Sequence, residues 1–182
     1  MIIEPFPPFR ASSFRIKRAS EVWERRGAAA LRRQVFCVEQ GIFEGDDRDP
    51  IDNVAMTLVA FDYVGGAPGD VIGTVRVHED SPGIWWGSRL AVAGEYRRVG
   101  ALGTALIRLA VGSAHARGCS RFLANVQAQN GPLFTRLNWR TLGELTLHGH
   151  PHLNMEADLA HYPPIAEAEA VAGMHASARL AA

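Results

Sequence analysis

The sequence holds only two cysteines, Cys37 and Cys119, too few for a disulfide scaffold and without CxxC spacing. It has no uncharged apolar run of about 18 residues, so it predicts no membrane-spanning helix. Its start, MIIEPFPPFR, lacks the apolar stretch of a secretory leader. Neither charge is in excess: nineteen Lys+Arg balance nineteen Asp+Glu, which removes the basic footprint of a general nucleic-acid binder. Lysine is nearly missing, Lys17 being the single one. There is no internal repeat. These absences predict a cytoplasmic protein that binds neither membrane nor nucleic acid. What is present suits a globular chain: 47% of 182 residues are hydrophobic and 21% charged, enough to bury a core without metal or disulfide staples. One domain is expected over 14–160, after a proline-containing extended arm (1–13) and before an Ala-rich tail (161–182).

The balanced charge hides a segregation. Residues 1–36 hold eight basic and three acidic side chains, and residues 37–80 hold two basic and ten acidic. Residues 81–140 reverse this, with eight basic and one acidic. Either the two segments serve ligands of opposite charge, or their signs cancel in three dimensions.

Along the chain, Phe14–Lys17 alternates as a short strand. Ser20 can cap a helix that carries Leu31, Val35 and Val38 on one face and stops at Gly41. Gly27 is expected to break it into two short helices. Residues 44–53, EGDDRDPIDN, form an acidic loop. Met56–Phe61, Val71–Val77 and Ile84–Val92 are β-rich runs, the first two joined by a glycine-rich hairpin. From Gly100 to Arg117 the period becomes helical, with Gly118 as a stop. Phe122–Val126 is a strand, Asn130-Gly131-Pro132 opens a helix, and residues 139–159 form two strands around Gly149. This order predicts an α+β fold. Its mixed, mostly antiparallel sheet of six to seven strands is flanked by about four helices.

The stretch that carries chemistry runs from Arg89 to Leu106, RLAVAGEYRRVGALGTAL. A strand ends at Val92, a basic glycine-containing loop follows, and an amphipathic helix begins. Free N–H groups and the dipole at a helix start attract anions, glycines admit phosphate oxygens, and Arg97 and Arg98 add charge-assisted bonds. A packing loop that uses its glycines only to turn is the other reading. Neither the dinucleotide fingerprint nor the GxxxxGK[ST] phosphate loop is present.

This stretch resembles the acyl-CoA pyrophosphate motif of the GNAT superfamily of N-acetyltransferases, in which an Arg/Gln-x-x-Gly-x-Gly/Ala loop joins a strand to a long helix. Three further segments are similar in order. RRQVFCVEQ (32–40) resembles the helix-two signature of a subgroup reading RxxVFxxEQ before an acidic loop. FLANVQAQNGPLFTRLNW (122–139) resembles the strand and helix before the family's FYEKLGF-type turn, and GHPHLNM (149–155) resembles the subgroup's closing strand. Arg97 and Gly100 match the loop, whereas its last small position is Leu102, with Gly103 one residue late. Where many members carry a thiolate-protonating Tyr this chain has Phe134, and Ile84–Val92 has no Glu where many place a general base.

The resemblance implies acetyl-CoA as acyl donor, with no metal, and direct attack by the amine of a small-molecule acceptor. It implies a splay between the fourth and fifth strands for the pantetheine arm, which would pair with Leu90, Ala91 and Val92. The pyrophosphate would sit on Arg97, Arg98, Val99, Gly100, Ala101, Leu102, Gly103 and Thr104, with Asn130 and Phe134 near the cofactor. Asn130 can equally be a helix cap. A backbone N–H around Leu90–Val92 would meet the developing oxyanion. For the base the candidates are Glu39, then His152. Asp46, Asp47 and Asp52 either attract a cationic acceptor or solubilise a loop, and the two cysteines read as small core residues. Trp85-Trp86 suits either a homodimer contact or the core.

Three alternatives follow. His148, His150 and His152 form HxHxH, which on one strand face, with His161, has zinc-ligand spacing. Loss of the Tyr and Glu suits an acyl-CoA-binding module without turnover. A longer acyl donor, as in the acyl-homoserine lactone synthases, suits the RxxVF helix.

Overall fold

The computed structural model describes residues 14–64, 67–97 and 100–166. Strand β1 (Phe14–Arg18) leads to helix α1 (Val22–Arg32), which runs without a break into a π-helical segment, Arg33–Glu39. Strands β2 (Met56–Val64), β3 (Ala67–Ser81) and β4 (Ile84–Val92) follow, then helix α2 (Gly100–His115), β5 (Arg121–Gln127), α3 (Gly131–Arg136), β6 (Trp139–Leu147) and β7 (His150–Ala157). One seven-stranded sheet has the order β1-β2-β3-β4-β5-β7-β6, and only β4 and β5 are parallel. The predicted order of elements and the α+β class are therefore observed.

Alternation on β2 sorts its side chains to the two faces. Leu58 and Ala60 enter the main core with Leu102, Leu106 and Val111 of α2, while Val59 and Phe61 join Ala28 of α1 on the other side. So α1 covers one face and α2 the other. Helix α1 opens with a capping box in which Glu24 accepts the Glu21 and Ser20 N–H groups and also pairs with Lys17 at 2.6 Å. The predicted break at Gly27 is absent. That glycine serves close packing instead: a Cβ there would come within 2.5 Å of Val71 on β3. The helix changes character at Arg33, where it widens, so that Gln40 N–H reaches the Val35 carbonyl at 3.1 Å.

The packed domain extends to Ile165, past the expected boundary at 160. Tyr162 is buried, donates from its hydroxyl to Leu137 O at 2.5 Å and accepts from Trp139 Nε1 at 2.9 Å. Ile165 lies where a side chain on Gly112 of α2 would be. The arm 1–13 and tail residues 167–182 lie outside the described residues. Trp85 faces the core and Trp86 lines a cavity, so neither ring is an exposed dimer contact.

Candidate active site

Strands β4 and β5 pair over only four positions, Ile84–Gly87 with Arg121–Ala124, and then separate. The cause is on β4. Ser88 stands opposite Arg76 and Ala91 opposite Thr74, so Arg89 and Leu90 share one partner position, and Arg89 adopts φ 54°. This bulge bends the strand away from β5. From Ser88 to Val92 the β5-facing edge of β4 has no strand partner among the described residues. Such an edge can bind an extended amide chain as an added strand. A cavity of about 510 Å³ fills the gap and passes through the sheet. On the α2 side its wall is apolar, with Ile107, Ala110, Phe134 and Trp139; on the α1 side it is mixed, with Phe43, Trp86, Asn125 and His148.

Helix α2 starts just after Arg97, which is tied to the last residue of β4. Its sixteen residues align their dipole so that the first N–H groups at Gly100 form a positive end. Arg97 sits beside it, donating from Nε to Val92 O at 2.9 Å and pairing through Nη2 with Glu39. Ala101 is exposed, Gly103 and Thr104 are half-buried, and a Cβ on Gly103 would touch nothing within 4 Å. Leu102 is fully buried in the core, so only its backbone can belong to an anion turn. Arg98 and Val99 lie outside the described residues.

The acidic loop is not a free anionic surface. Arg32 binds Asp47 at 2.8 Å and Asp52 at 2.5 Å; Arg76 binds Asp49 at 2.6 Å and Asp52 at 2.9 Å; Arg89 reaches Asp47 at 3.0 Å and Asp49 at 3.2 Å. Three guanidinium groups and three carboxylates cancel, and Arg32, Arg76 and Asp47 are almost wholly buried. Asp49 is held below the usual carboxylate range chiefly by its bond to Arg76. At Asp52 burial works in the opposite direction, yet the bonds to Arg32 and to the Asp49 N–H outweigh it and lower the pKa strongly. Arg89 stacks its guanidinium 4.5 Å from the Phe43 ring centroid, and Phe43 meets His148 at 4.7 Å. The segregated charges thus meet in three dimensions, and Asp47 and Asp52 tie the loop to the sheet. Glu44 and Asp46 stay exposed, Asp46 beside Arg48 at 3.6 Å.

The other sequence candidates separate. Glu39 is exposed and turned to Arg97, outside the cavity wall, while its neighbour Gln40 accepts from Gln127 Nε2 at 2.9 Å across the gap. His152 lines the cavity, with Nδ1 2.9 Å from the His150 carbonyl. Asn130 stands at the start of α3 without a side-chain cap bond and lines the cavity, as does the buried Phe134, 5.0 Å from Trp139. The HxHxH spacing does not place three imidazoles on one strand face. His148 and Gly149 are the two-residue turn between β6 and β7, both with positive φ (49° and 76°), and His148 stacks on Phe43. Among the described residues no group of three His, Cys, Asp or Glu is placed to hold a metal ion. Cys119 is buried, and burial pushes its thiol up to about 11, which keeps it protonated. Sequence reasoning missed Arg76, Arg89 and Ser88. Their only signal was basic and polar residues within otherwise apolar strands.

Residues 31–137 match the model of the acetyltransferase (GNAT) family. No curated protein sequence matches the chain. Solved structures share the fold at low identity. A provisionally assigned N-acetyltransferase from Lactobacillus plantarum superposes with a TM-score of 0.70 at 22% identity, covering 80% of this chain and 97% of that one. An acyl-CoA N-acyltransferase from Pseudomonas aeruginosa gives 0.64 at 19%, covering 80% and 99%. The CoA-dependent acyl-homoserine lactone synthase BjaI, solved with SAM and isopentyl-CoA, gives 0.62 at 18%, covering 80% and 83%. A bulged strand that leaves its neighbour, a helix start beside the gap, and a family match over both together identify the chain as a member of the GNAT acyltransferase family.

Proposed function

We propose that the protein moves an acetyl group from acetyl-CoA to the primary amine of a small molecule in the cytoplasm, by direct attack. The observation that carries this reading is the unpaired Ser88–Val92 edge lying between the Arg97–Gly100 helix start and a through-sheet cavity. In this reading the pantetheine amides pair with the β4 edge at Leu90, Ala91 and Val92, and the pyrophosphate rests on the N–H groups from Gly100 to Thr104. Arg97 and Arg98 add charge, Val99 spaces the turn, and Asn130 and Phe134 border the donor. A β4 N–H near Leu90 meets the carbonyl oxygen as it gains charge. Glu39 and His152 are the residues first assigned to proton transfer. Glu39 must leave Arg97 to act, which donor phosphates competing for that guanidinium would permit.

A thiol-release assay with acetyl-CoA against a panel of aliphatic and aromatic primary amines tests the reading. Turnover of a subset of amines supports it. Tight donor binding with no thiol release across the panel would make the protein an acyl-CoA-binding module. A second reading has its own observation. One side of the cavity is apolar, walled by Ile107, Ala110, Phe134 and Trp139. A longer acyl chain fits there, and higher kcat/KM with hexanoyl-CoA than with acetyl-CoA would favour it.

A further inference from the structure

An alkylammonium has a pKa of about 10, so attack on a thioester at neutral pH needs a proton acceptor. β4 offers no carboxylate, Glu39 is engaged with Arg97, and His152 keeps Nδ1 beside a backbone carbonyl. The next strand carries a better-placed group. His78 of β3 lines the same cavity as Ser88, Arg89 and Leu90, and is Cα-paired with Trp86 of β4. Its Nδ1 is buried and has no hydrogen-bond partner among the described residues. A ring nitrogen withdrawn from water without a partner costs free energy, and because the His78 side chain borders the cavity, a polar hydrogen entering from the cavity would satisfy it. At about 3.3 Å per residue, His78 stands about 7 Å along β3 from Arg76, whose partner Ser88 borders the bulge. The Leu90 end of the bulge faces Val75, one residue further and about 10 Å from His78 in all, so an amine there reaches the ring through bridging water.

We propose that His78 Nδ1 is the proton acceptor for the acceptor amine; this rests on the acyltransferase reading. The ammonium gives one proton to Nδ1, and the freed nitrogen adds to the thioester carbonyl carbon. The C–S bond then breaks, the thiolate leaves with its electron pair, and it takes the second proton as the nitrogen becomes an amide. The imidazolium returns its proton to solvent, so one ammonium and one thioester give one amide, one thiol and one proton. The surroundings keep the resting ring neutral. Burial and the Arg76 guanidinium lower its pKa, while Asp80 on the same strand and Asp49 from the acidic loop oppose them. Arg89 on β4, and His148 and His152 from the far wall, complete the titratable groups around that part of the cavity.

The test combines His78→Gln with three measurements. Calorimetry with acetyl-CoA comes first, because absent binding to the wild type overturns the acyltransferase reading rather than this assignment. With binding intact in both proteins, kcat for the best amine of the panel is expected to fall about 100-fold, the lower end for a lost general base. The acid limb of the wild-type kcat–pH profile should also disappear in the variant. His78→Asn, checked by thermal unfolding, guards against a glutamine-specific folding defect. Independently of any amine, the His78 ring followed by ¹⁵N NMR should titrate below the ordinary histidine value of about 6.5. A kcat within threefold of wild type, a persisting acid limb, or a ring that titrates at or above that value overturns the assignment.

Discussion

Two clusters of charge lie on either side of the β4 bulge, and they are built differently. Arg32, Arg76 and Arg89 meet Asp47, Asp49 and Asp52 in a closed set, each cation touching two carboxylates, with most of the set removed from water. Arg97 has one carboxylate partner among the described residues, Glu39; both are well exposed, and they sit beside the start of α2. A saturated, buried set has no valence left for a ligand, so its work is to fix the acidic loop against the sheet. An exposed pair at a helix start exchanges partners at little cost, since such pairs contribute only about 0–1 kcal/mol. The same residue types therefore make scaffold on one side and candidate ligand site on the other.

The strongest way to break this contrast is to open the closed set. Arg76→Met removes one of the two guanidinium partners of Asp49 and of Asp52, and breaking a buried pair costs about 3–5 kcal/mol, here at the lower end because Arg89 and Arg32 remain and both carboxylates keep some water. A fall in Tm of about 10 °C is expected by calorimetry, from about 2–4 °C per kcal/mol at this chain length. A drop under 2 °C would show that the network is not structural. On the other side, Gly100→Asp sets a carboxylate at the start of α2, where donor phosphates are proposed to sit. Affinity for CoA should fall more than tenfold with Tm nearly unchanged; unchanged affinity would remove the site from that turn. Arg97→Ala deletes one charge-assisted bond, which at the lower end of the usual range, about 1.5 kcal/mol, is about tenfold in Kd for CoA. Glu39→Gln, by releasing Arg97, should tighten CoA about twofold, and weaker binding would contradict the exchange of partners.

Acid sharpens the same comparison. Asp49 and Asp52 titrate lower when folded than when unfolded. Their stabilisation is therefore complete above the unfolded value of about 3.9 and is lost as pH falls toward the folded values. Acid unfolding followed by circular dichroism should begin at higher pH in Arg76→Met than in the wild type. In Arg97→Ala it should not move.

The sequence made the chain order legible because each element carries its own period: alternation at Met56–Phe61, helical spacing at Leu102, Leu106 and Leu109, and punctuation at Gly118 and Gly149. The gap between β4 and β5 followed from motif resemblance and is found. What stayed hidden depends on contacts distant in sequence. Gly27 looked like a helix breaker because nothing local shows Val71 beneath it. Asp47 and Asp52 looked solvated because their partners lie on α1, β3 and β4. The HxHxH run looked like a metal strand because alternation was assumed through a turn that places His148 at positive φ. His78 had no signal beyond being a lone histidine in a strand, and its unpartnered nitrogen is visible only once the cavity is.

The most direct test of the central claim is calorimetric titration of the untagged protein with acetyl-CoA, desulfo-CoA and 3′,5′-ADP. The account predicts micromolar binding of acetyl-CoA that survives loss of the thiol and weakens when only the 3′,5′-ADP portion remains, since the β4 edge then has nothing to pair with. Absence of binding by all three would contradict the placement of an acyl-CoA site between β4 and β5.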